Sequence, residues 1–283
     1  MENPYIKARY KTLHNFSWVK FSIFLLIPLF LFVGITYFML QRDISIERTL
    51  IEERSRNHLE VLSKIITINF ETIISDLLFL SSHYKLHDTL PKDIREITQE
   101  YQLFSQKKKI YDQIRFLNLK GVELIRINNK NKEPEIVAKK RLQDKSNRYY
   151  FKETIALEDN KIFVSPFDLN VEHGEVEQPI KPVIRFATPV YSSEGRKIGV
   201  FVLNYLGEKL LDELRAASVN RRGDIMLLNT EGYWLLGPKP EANWGFMFPE
   251  RLNHTVANHF PQAWAAISNK ESGQIITNNG MFI

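Results

Sequence analysis

The 283 residues contain no cysteine, which removes disulfides and thiolate metal sites from consideration. Basic runs are scarce. None exceeds three residues, as in Lys107-Lys108-Lys109, and the net charge is only +5, so nothing points to a nucleic-acid partner. The chain has no G-x-S-x-G, P-loop or G-x-G-x-x-G, and no Ser/His/Asp arrangement that reads as catalytic. His83 and His87 have helical i, i+4 spacing, but no third ligand is placed to complete a metal site. His173 lies with Glu172 and Glu175 in an acidic loop that reads as a solvated surface. These absences argue against an enzyme and against a metal or an organic cofactor.

One long hydrophobic run is present. Phe21 to Leu40 is twenty residues without a charge. As a helix it spans roughly 30 Å, the thickness of a bilayer's hydrocarbon core. Pro28 and Gly34 are both tolerated in membrane helices. The run is too long for a signal-peptide core, and no A-x-A-like cleavage site follows it. Lys7, Arg9, Lys11 and Lys20 precede it, whereas mixed charge follows Gln41. The positive-inside rule then places the N-terminus in the cytoplasm and the remainder outside, in a bacterium the periplasm. Trp18 and Tyr37 fall near the two interfaces. No second run of this kind follows, so the expectation is a single-pass protein or a piece of a longer one.

Beyond the run, 44% hydrophobic and 25% charged residues suffice for a folded core. From Asp43 to His83 there is neither glycine nor proline. Ile66, Phe70, Ile73, Leu77 and Leu80 step by four and three, the seam of a stalk helix that packs on its own domain or on a second copy. Helical character returns from Pro91 to Lys108. The pattern then turns to period two. Strands are expected at 111–119, 122–128, 161–165, 183–191 and 197–205, with a turn at Lys120-Gly121, a connector over 132–147 and a short helix from Arg148. A helix over 206–217 leads to a weak echo, in which LLNTEGYWLLGP repeats the layout of FLNLKGVELIRIN. The fold class is α+β: helices with antiparallel sheets in two successive units.

The segments YDQIRFLNLKGVELIRIN, LQDKSNRYYF, VSPFDLNVEHG, KPVIRFATPVY and GVFVLNYLGEKLL carry a resemblance. Together with the membrane and stalk helices, they resemble the double Cache family. These are PAS-like extracytoplasmic sensor domains of bacterial histidine kinases, chemoreceptors and diguanylate cyclases. The resemblance implies a cytoplasmic segment (1–20), a membrane helix (21–40) and a stalk (41–84). It also implies a membrane-distal ligand-binding unit (85–205) and a smaller membrane-proximal unit (206–283). It implies a sensor that binds a small periplasmic molecule, with dimerisation through the stalk and membrane helices. In such receptors a second span returns to a cytoplasmic output domain, and these 283 residues contain neither. The other reading of the same fold is a membrane-anchored module that binds a protein partner without signalling.

Amino-acid-binding members carry an Arg-x-Trp-Tyr element whose Arg holds a carboxylate, and a later Asp that holds the ammonium. Arg148, Tyr150 and Phe151 are similar to that element, with Tyr for Trp and Phe for Tyr. Asp168 is similar to the later acid, although the family's position falls one residue on, at Leu169. A guanidinium fork beside aromatic walls suits a small organic anion. Arg185 stands mid-strand with Val183 and Ala187 on its side, opposite Ile184 and Phe186, and joins the candidate ligand-binding set.

Overall fold

The structure is a computed structural model that describes residues 4–86, 94–130, 133–172, 174–219 and 223–283. Pro91, His87 and His173 lie outside the described residues, as does the side chain of His83. The chain divides into two units, Met1–Leu59 and Glu60–Ile283.

Helix α1 runs over Pro4–Leu86. In the N-terminal unit its large apolar side chains between Phe21 and Leu40 are 45–79% exposed, which in water is untenable for so many residues on every face. Among the described residues this is the one helix long and apolar enough to cross a membrane.

The second unit is built on an antiparallel sheet. Its elements are α2 (Ile94–Lys108), β1 (Tyr111–Asn118), β2 (Glu123–Lys130), β3 (Glu133–Ile136), α3 (Tyr149–Ile155), β4 (Phe163–Val164) and β5 (Asp168–Leu169). There follow β6 (Val171–Glu172), β7 (Glu175–Val176), β8 (Pro182–Tyr191), β9 (Lys197–Leu206) and α4 (Gly207–Ala217). The strand order is β3-β2-β1-β9-β8-β4, with β5 also paired to β8. The expected connector over 132–147 is therefore only partly a connector. It holds the edge strand β3, whose Pro134 lacks an amide donor, a residue type that suits an edge. The acidic loop likewise folds into the small hairpin β6–β7.

Two tight spots fix the register. Gly121, at φ +79°, closes the β1–β2 turn, and a Cβ there would lie 2.5 Å from the Ser146 backbone. At Gly199 a Cβ would fall 2.2 Å from the Leu117 carbonyl oxygen.

The sheet has two unlike faces, as period two dictates. On one face Ile114, Phe116, Ile127, Phe186, Phe201 and Leu203 are buried in the main core. The stalk seam packs here. Ile73, Leu77 and Leu80 are buried, while Ile66 and Phe70 lie against the same core. Phe70 meets Phe186 edge-on at 5.2 Å, and Tyr101 of α2 meets Phe201 in the same way. Polar ties reinforce the packing. The Tyr111 hydroxyl donates to Asp76 Oδ2 at 2.6 Å, and Lys108 pairs with Asp76 Oδ1 at 2.8 Å. The Tyr205 hydroxyl donates to Asn69 Oδ1, and Asn69 Nδ2 donates to Glu213. Burial, then the Asp76 bond and charge, raise the Tyr111 pKa well beyond the usual phenol range.

The C-terminal region contributes β10 (Leu227–Leu228) and β11 (Trp234–Leu236), then α5 (Val256–His259), α6 (Pro261–Ile267), β12 (Ile275–Thr277) and β13 (Gly280–Phe282). These strands form two separate two-stranded sheets. Trp234, Ala242 and Val256 make a small core, while Leu235, Leu236 and Trp244 join the main one.

Candidate ligand site on the polar face of the sheet

The opposite face of the sheet is covered by α3. Tyr150 and Phe151 of α3 pack on Leu117, Ala187, Val200 and Val202. Beside this apolar strip the same face carries Gln113, Arg115, Arg126, Arg185 and Asn204, all buried. Cross-strand register aligns Gln113, Asn204 and Arg185 in one row, and Arg126, Arg115, Val202 and Ala187 in the next.

Arg185 is the best-held of the sequence-identified residues. Its side chain is 3% exposed. Its backbone is fixed by Ser165, whose Oγ accepts from the Arg185 amide at 2.9 Å and whose own amide donates to the Arg185 carbonyl. Nη1 donates to Asp168 Oδ1 at 2.7 Å and reaches the Tyr149 hydroxyl at 3.4 Å, and Nη2 reaches Asn170 Oδ1 at 3.4 Å. Burial works against the Arg185 charge. Asp168 and Tyr149 outweigh it, so the guanidinium pKa is raised. Tyr149 donates to Asp168 Oδ2 at 3.2 Å, and burial raises its own pKa.

The structure thus brings Arg185, Asp168 and Tyr150 together, with Phe151 in the wall behind Tyr150. Tyr150 is buried and Tyr149 is 39% exposed, so one of the tyrosine pair faces inward. Arg148 is the residue before α3, half-buried, with its guanidinium carbon 6.0 Å from the Tyr150 ring centre. Guanidiniums from Arg115 and Arg185 approach the same ring at 5.5 and 5.7 Å.

Arg115 and Arg126 are additions that sequence reasoning missed. Arg115 Nη1 donates to the Tyr150 hydroxyl at 2.8 Å. Glu123, buried, lies 3.8 Å from Arg115 and 3.7 Å from Arg126, and its Oε2 accepts from the Gln143 amide. The signal was available: Arg115 stands in β1 as Arg185 stands in β8, a charge among apolar neighbours.

A second ionic group adjoins the first. Lys181 bridges Asp112 at 3.0 Å and Glu177 at 2.8 Å, and Glu177 accepts from Asn170. Burial raises the Asp112 pKa despite Lys181. The Lys181 pKa is also raised, because Asp112 and Glu177 overcome the effect of burial on it. Asp112 and Tyr111 are consecutive residues where the β1–β9 register shifts, so one peptide joins the polar network to the Asp76 tie on α1. Among the described residues no cluster of three or more His, Asp or Glu side chains is placed to hold a metal.

Comparison with family models matches residues 67–283 to the bacterial histidine kinase sensor domain, and the chain belongs to that family. Among solved structures it is similar to the extracellular domain of a candidate histidine kinase, vpHK1S-Z8, at 23% identity and TM-score 0.69. That match covers 80% of this chain and 85% of that one. It is also similar to a domain of a candidate sensory box/GGDEF family protein from Vibrio parahaemolyticus. There the identity is 27% and the TM-score 0.63, over 79% of this chain and 82% of that one. The ligand-binding domain of the Campylobacter jejuni chemoreceptor Tlp3, solved with L-valine, shares the fold at 15% identity and TM-score 0.57, over 84% and 87% of the two chains. Comparison with curated proteins gave no match. The chain is therefore a sensor domain with a Cache-like α+β fold, preceded by a candidate membrane helix.

Proposed function

We propose that this chain is the extracytoplasmic, ligand-sensing part of a bacterial transmembrane receptor, and that its ligand is a small organic anion. The observation that carries this reading is the buried guanidinium of Arg185, held beside Tyr150 and a second buried arginine, Arg115. Arg185 already pairs with Asp168 and Arg115 lies near Glu123, but the buried Nε of each has no hydrogen-bonding partner among the described residues, and a fork geometry suits carboxylates. The ligand-holding unit is 85–205, with Arg148, Tyr150, Phe151, Asp168 and Arg185 around the ligand. The unit at 206–283 is membrane-proximal. The N-terminus is cytoplasmic, the sensor periplasmic, and two copies pair through stalk and membrane helices.

Signalling follows from the polar ties. An anion that competes with Asp168 for Arg185 disturbs the network reaching Lys181 and Asp112, and β1 passes that disturbance through Tyr111 to Asp76 on α1. The ligand biases the equilibrium only by its differential affinity for the two arrangements. The test is a thermal-shift screen of organic acids and amino acids on the full chain in detergent micelles. A stabilising anion is expected, and its effect is expected to disappear in Arg185→Gln and to weaken in Arg148→Ala. A screen without a stabilising anion, or one whose hit ignores Arg185→Gln, refutes the reading.

A further inference from the structure

We infer that the domain has a second input, the proton, taken up at a cluster of Asp112, Glu177 and Lys181 that clasps the β6–β7 hairpin onto β1. This goes beyond the reading above and does not depend on the anion. The hairpin forms its own two-stranded sheet, separate from the main one, and Val176 rests on the main core. Its base is closed by the Asn170 amide on the Lys181 carbonyl and by the Glu177 amide on the Asn170 carbonyl. Lys181 ties that base to β1, pairing with Asp112 Oδ1 at 3.0 Å and with Glu177 Oε1 at 2.8 Å. Glu177 Oε2 accepts from Asn170 Nδ2 at 2.8 Å. The other oxygen of Asp112, Oδ2, is buried and has no hydrogen-bonding partner among the described residues.

Two carboxylates share one ammonium, so the ionised cluster holds an excess negative charge. Asp112 is 3% exposed, whereas the side chains of Lys181 and Glu177 are each 30% exposed. The excess is therefore costliest on Asp112, and a proton on that carboxylate relieves it. Burial raises the Asp112 pKa, Lys181 pulls it down, Glu177 pushes it up and Arg115, further along β1, pulls it down, with a net upward shift. Lifting the hairpin base off β1 gives Asp112 water and the ordinary carboxylate value of 3.8. By linkage, acid then favours the clasped arrangement. That preference is greatest below about 3.8 and fades, by up to about tenfold per pH unit, as pH rises to the clasped value. The preceding residue, Tyr111, donates to Asp76 of α1, so the clasp lies one peptide from the stalk helix.

The experiment is hydrogen–deuterium exchange, read by mass spectrometry on the full chain in detergent micelles without added ligand. Rates are corrected for the intrinsic pH dependence of exchange. Protection of the peptide over residues 170–181 is expected to fall at least about threefold as pH rises from about 4 to about 8, and the α1 peptide around Asp76 is expected to follow with the same midpoint. Asp112→Asn is neutral at every pH and is expected to hold both peptides flat. Lys181→Gln removes the cation that favours ionisation and is expected to move the midpoint up. Glu177→Gln removes a competing negative charge and is expected to move it down. Simple loosening of the hairpin does not produce opposite shifts. A flat profile in the parent, a profile that survives Asp112→Asn, midpoints that move the same way, or a hairpin response that leaves α1 flat overturns the inference. Each of these outcomes leaves the anion reading in place. If Asp112→Asn does not fold, the shifts in the two neighbouring variants decide.

Discussion

The two faces of the sheet are equally buried and chemically opposite. Toward α1 and α2 the side chains are Ile114, Phe116, Phe186 and Leu203, joined at the margin by the Tyr111–Asp76 tie. Toward α3 the strands present Gln113, Arg115, Arg185 and Asn204, with orphaned polar atoms in three of the four. Apolar burial stabilises at about 25 cal/mol per Å² and asks nothing of geometry beyond packing. Buried charge stabilises little or nothing on its own, and replacing a pair with well-packed apolar residues is often neutral. A domain that kept the second face only for stability would have no use for three arginines around one tyrosine. On the proposed reading, the contrast places structure on one side of the sheet and recognition on the other.

The largest test of that contrast is Ile73→Asp, which places a charge against the apolar face. A loss of about 3–5 kcal/mol is expected in thermal or urea unfolding, because Ile73 is buried in the hydrophobic core. An unchanged midpoint would mean that the seam does not hold the domain. On the polar face, Arg185→Leu strands Asp168 with only the Tyr149 hydroxyl and is expected to cost roughly 2–4 kcal/mol. The double change Arg185→Leu with Asp168→Leu is expected to regain most of that stability while abolishing the anion response. A double variant as unstable as the single one contradicts the division of labour.

Between the faces, Tyr111→Phe removes one bond to Asp76 and leaves Lys108 in place. About 1–2 kcal/mol is expected, together with a weaker effect of ligand on exchange of the α1 amides near Asp76. The smallest effect concerns Asp112. Burial, its leading influence, raises its folded pKa above the ordinary 3.8. Its contribution is therefore fully present below about 3.8 and is lost as pH rises through the higher folded value. Asp112→Asn is expected to gain melting temperature relative to the parent as pH rises from about 3 to 7. A difference flat with pH rules this out.

The apolar face was legible in the sequence because hydrophobic periodicity reports burial directly. The 4-3 seam at Ile66 to Leu80 and the alternation in β8 both mark residues that pack as read. The polar face was half legible. Arg185 stood out because its neighbours are apolar. Arg115 also lies between apolar neighbours, Ile114 and Phe116, but Gln113 on its own face makes that face read as a solvent side until α3 is seen to cover it. β3 escaped because Glu133-Pro134-Glu135-Ile136 has no β-rich run, and its pairing to β2 supplies what propensity lacks. Asp168 was picked out for its likeness to an ammonium-binding acid, whereas here it bonds Arg185.

Apart from residues of the long strands themselves, such as Glu123 of β2, the groups that surround the sheet arginines come from one uninterrupted stretch of chain. Gln143, Tyr149, Tyr150, Asp168, Asn170 and Lys181 all fall between residues 142 and 181, whereas the stalk-facing core is assembled from α1, α2 and the four long strands. On the proposed reading, the surroundings of the sheet arginines are therefore exchangeable as a cassette. Recombination at two points, within the β2–α3 connection and just before β8, is expected to replace those surroundings while leaving Arg115, Arg185, the stalk-facing packing and the Tyr111–Asp76 tie in place.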